Sequence, residues 1–153
     1  MSDTKPAKIL VVDDEPAIRE YLKMVLTEQG YTVLTAPDGR EALPLAVQEQ
    51  PDLILLDIFM PYLDGIETLK RLRERPTTRN LRVIILTAYD TRDRLEDSIV
   101  AGADDFLSKP INLTELRIRV SSMLKVKGMT DEVERLETYI NSMKEMRRGA
   151  QPG

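Results

Sequence analysis

Three aspartates and one lysine stand where this chain could do chemistry. Asp13 and Asp14 close the apolar run Ile9-Leu10-Val11-Val12, Asp57 closes Leu53-Ile54-Leu55-Leu56, and Lys109 precedes Pro110. Each run reads as a buried strand that ends abruptly in acid. If the two strands lie side by side, three negative charges converge at one edge of a sheet. Carboxylates that close do not all stay ionised without a cation among them. The pattern predicts a divalent metal. Alone, Asp13-Asp14 would be a solvated turn or a helix cap; Asp57 and Lys109 in register favour the metal.

The elements that must position these residues alternate along the chain. Strands are expected at Lys8–Asp13, Thr32–Ala36, Leu53–Asp57, Arg82–Thr87 and Asp105–Ser108, and helices at Pro16–Gln29, Gly39–Glu49, Gly65–Glu74, Arg92–Ala101 and Leu113–Lys127. Pro16 suits a first helical turn, and Gly30 and Gly102 suit helix ends. Asp38, with Glu41 three residues on, reads as a capping box, and Asn112 or Thr114 as the cap of the fifth helix. Five tandem βα units imply right-handed crossovers and a doubly covered parallel sheet. Such sheets bind ligands at the carboxyl ends of their strands, where Asp13, Asp14, Asp57, Thr87 and Lys109 all fall. Pro44, well inside the second helix, predicts a kink or an early end. Asp104-Asp105 reads as a solvated turn, and Ser121-Ser122 as a helix surface.

Composition narrows the function. The 153 residues are 42% apolar and 31% charged, with a formal charge of −4 and no basic footprint for nucleic acid. The acid belongs to the body of the chain: residues 1–124 carry −5 and residues 125–153 carry +1. With no cysteine and no histidine, thiol chemistry, histidine phosphotransfer, Ser-His-Asp hydrolysis and most zinc sites drop out. The N-terminus lacks the apolar stretch of a signal peptide, and no run spans a bilayer, so a cytoplasmic location is expected.

Six motifs in order carry a family resemblance. Val11-Val12-Asp13-Asp14-Glu15, Leu55-Leu56-Asp57-Ile58-Phe59-Met60-Pro61, Asp64-Gly65, Leu86-Thr87-Ala88, Gly102-Ala103-Asp104-Asp105-Phe106 and Ser108-Lys109-Pro110 resemble the receiver domain of bacterial two-component response regulators. The likeness runs from about Lys8 to Leu124. It implies a (βα)5 flavodoxin-like sheet of order 2-1-3-4-5, with Asp57 accepting a phosphoryl group from a sensor histidine kinase or phosphotransfer protein. It further implies Mg²⁺, with Mn²⁺ as a substitute, held by Asp14, Asp57 and the Phe59 backbone carbonyl, with Asp13 acting through bound water. Lys109 and the Thr87 hydroxyl would then meet the phosphoryl oxygens.

The resemblance also implies a switch. Thr87 moves toward the phosphate and Phe106 turns into the space it leaves, altering the fourth helix, fifth strand and fifth helix (roughly Arg92–Lys127). Many family members carry tyrosine where Phe106 stands, so an output that needs that hydroxyl is not expected here. Lys109-Pro110 is expected to be cis. Phe59 and Tyr89, each two residues past Asp57 or Thr87, are expected to crowd out attacking water and slow dephosphorylation.

Residues 1–7 read as a tail, 8–127 as the receiver, 128–148 as a coiled-coil-like helix and 149–153 as a disordered end. Val126, Met129, Val133, Leu136, Ile140 and Met143 recur at spacings of three and four, an a/d seam under three heptads long. The favoured reading is a parallel dimerisation or signalling helix, and thus a homodimer, with a helix folded back on its own domain as the alternative. The functional expectation is a phosphoacceptor switch acting on an output domain or partner, not an enzyme beyond weak self-phosphorylation and autodephosphorylation. Alternatives are a Mg-dependent aspartyl phosphatase, which would want a second acid just after Asp57, a flavin module, or a phosphorylation-independent dimerisation scaffold.

Overall fold

Near-continuous apolar runs only make sense as strands covered on both faces, and that is how they fold. A computed structural model describes residues 5–88 and 92–150. Strands β1 (Lys8–Val12), β2 (Thr32–Ala36), β3 (Leu53–Asp57), β4 (Arg82–Thr87) and β5 (Asp105–Ser108) form one parallel sheet in the order β2-β1-β3-β4-β5. Helices α1 (Pro16–Glu28), α2 (Gly39–Glu49), α3 (Gly65–Glu74), α4 (Arg92–Ala101) and α5 (Leu113–Lys125) connect them, and α6 (Glu132–Ala150) follows. The fold is the expected flavodoxin-like one, with a C-terminal helix added.

Strand alternation divides the core in two. Ile9, Val11, Leu53 and Leu55 pack against Leu22 and Leu26 of α1 and Leu116 and Val120 of α5. Leu10, Val12, Ile54 and Leu56 face the other way, onto Ala42 and Ala46 of α2 and Ile66 and Leu69 of α3. The helix starts follow the sequence. Pro16 opens α1, the Asp38 carboxylate accepts from the backbone N–H groups of Arg40 and Glu41, and Asn112, not Thr114, caps α5 through Glu115 N. Pro44 neither ends nor interrupts α2. The carbonyl it deprives of a donor belongs to exposed Arg40, where water can replace the lost bond.

At the amino ends of β4 and β5, Asp104 is no solvated turn. Its side chain is 8% exposed and ion-paired to Arg73 (3.1 Å) and Arg82 (3.0 Å), with Val83 N donating to it at 2.8 Å. Arg73 also donates to the carbonyls of Gly102 and Leu81, and Arg82 to that of Asn80, so α3, β4 and the α4–β5 turn are tied in one knot. Asp105 likewise pairs with Arg119 of α5 and accepts from Tyr139 of α6.

The tail corrects two expectations. α5 stops at Lys125, and the next helix begins at Glu132, not 128, and runs on through 149 and 150; residues 151–153 lie outside the described residues, as do 1–4 of the N-terminal tail. In the single chain α6 folds back antiparallel to α5, the arrangement given above as the alternative to the favoured parallel dimerisation helix. Ser122 Oγ donates to Ser142 Oγ at 2.8 Å, and Arg147 pairs with Glu115 at 2.8 Å. Ser122 is therefore buried in a helix contact. The seam splits: Val126 is buried and Met129 and Met143 pack on the core, while Val133, Leu136 and Ile140 stay exposed. A lone helix of this length is marginal in water, and α5, a short turn away, is the partner at the highest effective concentration. No helix of the described residues is long and apolar enough to cross a membrane.

Candidate acidic site at the carboxyl edge of the sheet

The strand order sets the site. β1 and β3 are neighbours, so their carboxyl ends deliver Asp13, Asp14 and Asp57 to one place, where an oxygen of each lies within 4.8 Å of the others. Asp13 and Asp57 are buried and Asp14 is exposed. Asp13 is fixed from below: its Oδ1 accepts from Glu15 N at 2.9 Å, and its own carbonyl accepts from Arg19 Nη1 at 2.7 Å. Arg19 was not foreseen, since nothing in a helical arginine six residues on signals this backbone contact.

Lys109 arrives from the far side. Its backbone N–H donates to the Thr87 carbonyl at 2.8 Å, extending the β4–β5 pairing by one bond, and Lys109-Pro110 is cis, as expected. The ammonium then lies 2.7 Å from Asp13 Oδ2, 3.4 Å from Asp57 Oδ1 and 3.9 Å from Glu15 Oε1. Burial opposes its charge, but Asp13 and Asp57 outweigh that and hold its pKa above the ordinary lysine value.

One ammonium does not balance three carboxylates. Burial, then the neighbouring Asp13, push Asp57 from the usual 3.8 up to about 7, against the pull of Lys109. Asp13 Oδ2 is held by that ammonium, which Asp13 shares with Asp57. Three converging carboxylates that share one ammonium, the central one resisting ionisation, fit a hard divalent cation such as Mg²⁺ or Mn²⁺.

The backbone closes tightly beneath Asp57. Gly65 N donates to the Ile58 carbonyl at 2.8 Å, and a Cβ on Gly65 would stand 2.0 Å from the Asp57 carbonyl oxygen. Asp64 caps α3 through Glu67 N. This is the physical reason for Asp-Gly seven residues after the aspartate: a cap, then a residue without a side chain.

The remaining expected residues surround this centre. Thr87, buried at the end of β4, donates its hydroxyl to the Ala88 carbonyl at 3.2 Å. Phe106 is partly buried against the α2–α3 side of the core, and Phe59 is 48% exposed at the rim. Pro110 is exposed. Tyr89 lies outside the described residues. An unforeseen pair completes the rim: Arg40 stacks 3.6 Å over the ring of Tyr62, whose φ of 70° is unusual for a ring-bearing residue.

Comparison with known proteins agrees with this geometry. The family model described as the response regulator receiver domain matches residues 9–121. Response regulator MprA of Mycolicibacterium vanbaalenii is 45% identical over 120 residues, covering 78% of this chain and 51% of that protein. Response regulator PleD of Caulobacter vibrioides is 43% identical over 131 residues, covering 86% of this chain and 29% of that protein. The chain thus spans about half or less of these relatives. Among solved structures, the receiver domain of sensor histidine kinase PA1611 from Pseudomonas aeruginosa PAO1 superimposes with a TM-score of 0.74 at 30% identity, covering 78% of this chain and 98% of that one. That structure is described with a magnesium ion coordinated in its active site cleft.

Proposed function

The chain belongs to the response regulator receiver family, and on that premise we propose that it is a phosphorylation-driven switch with Asp57 as the phosphoacceptor. The observation that carries this reading is the uncompensated acid: three carboxylates around one ammonium, with the central one buried. An Asp57 carboxylate oxygen attacks the phosphorus of a phosphohistidine on a partner kinase or phosphotransfer protein. The new P–O bond forms as the P–N bond breaks, and the electron pair leaves on the imidazole nitrogen.

Asp14, Asp57 and the Phe59 carbonyl would hold Mg²⁺, with Asp13 positioned behind them. When bound, the ion supplies charge neutralisation at the phosphoryl oxygens. Lys109 supplies the second cation, and the buried Asp13 carboxylate aims it. The Thr87 hydroxyl, now on Ala88, is placed to turn toward an added phosphoryl group, and Phe106 to follow it inward. Phe59 narrows the approach of water, which favours a long-lived phosphoryl group. The output face, taken as the fourth helix to the fifth, carries α6 on its α5 side, so α6 is part of what a partner meets.

Intact-mass spectrometry after incubation with acetyl phosphate and Mg²⁺ tests this. One phosphoryl group is expected, lost with EDTA and lost in Asp57→Asn. Uptake unchanged in that variant overturns the assignment. Sustained multi-turnover release of phosphate would instead favour the aspartyl phosphatase reading.

A further inference from the structure

α6 has two faces, and the chain uses only one. Arg135, Tyr139, Ser142 and Met146 turn toward α5 and β5. Val133, Leu136 and Ile140 form a second stripe, 65%, 41% and 45% exposed. Leu136 borders a cavity of about 90 Å³ with Ala103 and Asp104, and the exposed Ile99 and Val100 lie in the last turn of α4 just before that loop. Apolar surface therefore continues from α6 toward α4.

The charges of α6 are sorted along its length. Glu132, Glu134 and Glu137 dominate the first half, where Arg135 turns inward to Asp104, and Lys144, Arg147 and Arg148 outweigh Glu145 in the second, Arg147 being already paired to Glu115. A parallel pair would set acid on acid and base on base, whereas an antiparallel pair sets each half on its complement. We infer that the exposed stripe of α6 docks a second copy of this chain, antiparallel, across a two-fold axis near Thr138. In that register Leu136 of one copy meets Ile140 of the other, and Glu132 lies level with Lys144. This reverses the parallel arrangement expected from the seam alone, because Val126, Met129 and Met143 of that seam are already committed to the chain's own core. The pairing does not depend on phosphoryl transfer.

Sedimentation of the full chain over a micromolar-to-millimolar range tests it. A dimer is expected, formed equally by Asp57→Asn. Glu132→Lys and Lys144→Glu each weaken it about tenfold, since every charge change strikes two symmetric contacts, and the double variant restores it. A parallel pair would leave the single changes nearly silent. Because the chain has no cysteine, thiols can be placed singly: Glu132→Cys mixed with Lys144→Cys cross-links on oxidation, and neither does so alone. A monomer throughout, silent single changes, or self-linking of Glu132→Cys overturns the proposal.

Discussion

The two ends of the sheet hold opposite charge imbalances and treat them differently. At the carboxyl end, Asp13, Asp14 and Asp57 outnumber Lys109. At the amino end, Arg73, Arg82 and Arg135 surround Asp104. The arginine excess is absorbed by the chain itself, since Arg73 and Arg82 donate to the carbonyls of Gly102, Leu81 and Asn80. The aspartate excess is not absorbed: Asp57 is pushed up to about 7 and has to share the Lys109 ammonium with Asp13. Imbalance alone marks neither function nor structure. What separates the two ends is whether backbone dipoles have answered the charge.

The contrast breaks most visibly at Asp104. Asp104→Ala leaves Arg73 and Arg82 buried without their counter-ion and is expected to cost about 3–5 kcal/mol, read by urea denaturation, with the acidic site still able to bind metal once refolded. Asp57→Asn should do the reverse. The Asp57 pKa is raised on folding, so the folded chain holds this proton more tightly than the unfolded one. Its contribution is complete below about pH 4 and lost as pH climbs toward about 7. Metal-free Asp57→Asn escapes that loss and should be about 2–4 kcal/mol more stable than wild type at pH 8, but no more stable at pH 4. Mg²⁺ should shrink the difference at pH 8. An equal gain at both pH values would detach it from ionisation.

Gly65→Ala sharpens the comparison without touching a charge. Its Cβ would press on the Asp57 carbonyl, costing about 2–3 kcal/mol by overpacking and lowering phosphoryl uptake with it. Gly128, which has open space around it, tolerates the same change. Tyr139→Phe, at Asp105 beside the arginine knot, is the mildest. Loss of one hydrogen bond to a charged acceptor costs about 1–2 kcal/mol, and amide exchange should quicken in α6 before the sheet.

The carboxyl end was legible in the sequence because strand and acid are contiguous there. An apolar run fixes where the strand stops, and the acid follows at once. The strand order then does the rest, and strands β2 to β5 fall on their expected residues. The amino end was illegible for the opposite reason. Asp104 meets Arg73 and Arg82 only after the chain has crossed the sheet, and no spacing rule joins an aspartate to an arginine 31 residues earlier. The tail misled in a different way. Its most apolar stripe drew attention to Val133, Leu136 and Ile140, yet the stripe that buries contains Arg135, Tyr139 and Ser142. Polar groups hid it, because hydrophobic periodicity does not register a buried Ser122–Ser142 pair or a tyrosine whose hydroxyl has a carboxylate waiting.

That tyrosine has a practical side. The protein has no tryptophan and only five tyrosines, so its near-ultraviolet light comes from few rings. Burial, then Asp105, raise the Tyr139 pKa well above the ordinary 10, and the same carboxylate contact should quench its emission while α6 is docked. Tyr21 and Tyr62 are open to solvent and report none of this. A rise in tyrosine fluorescence therefore times the lifting of the last helix with no label attached.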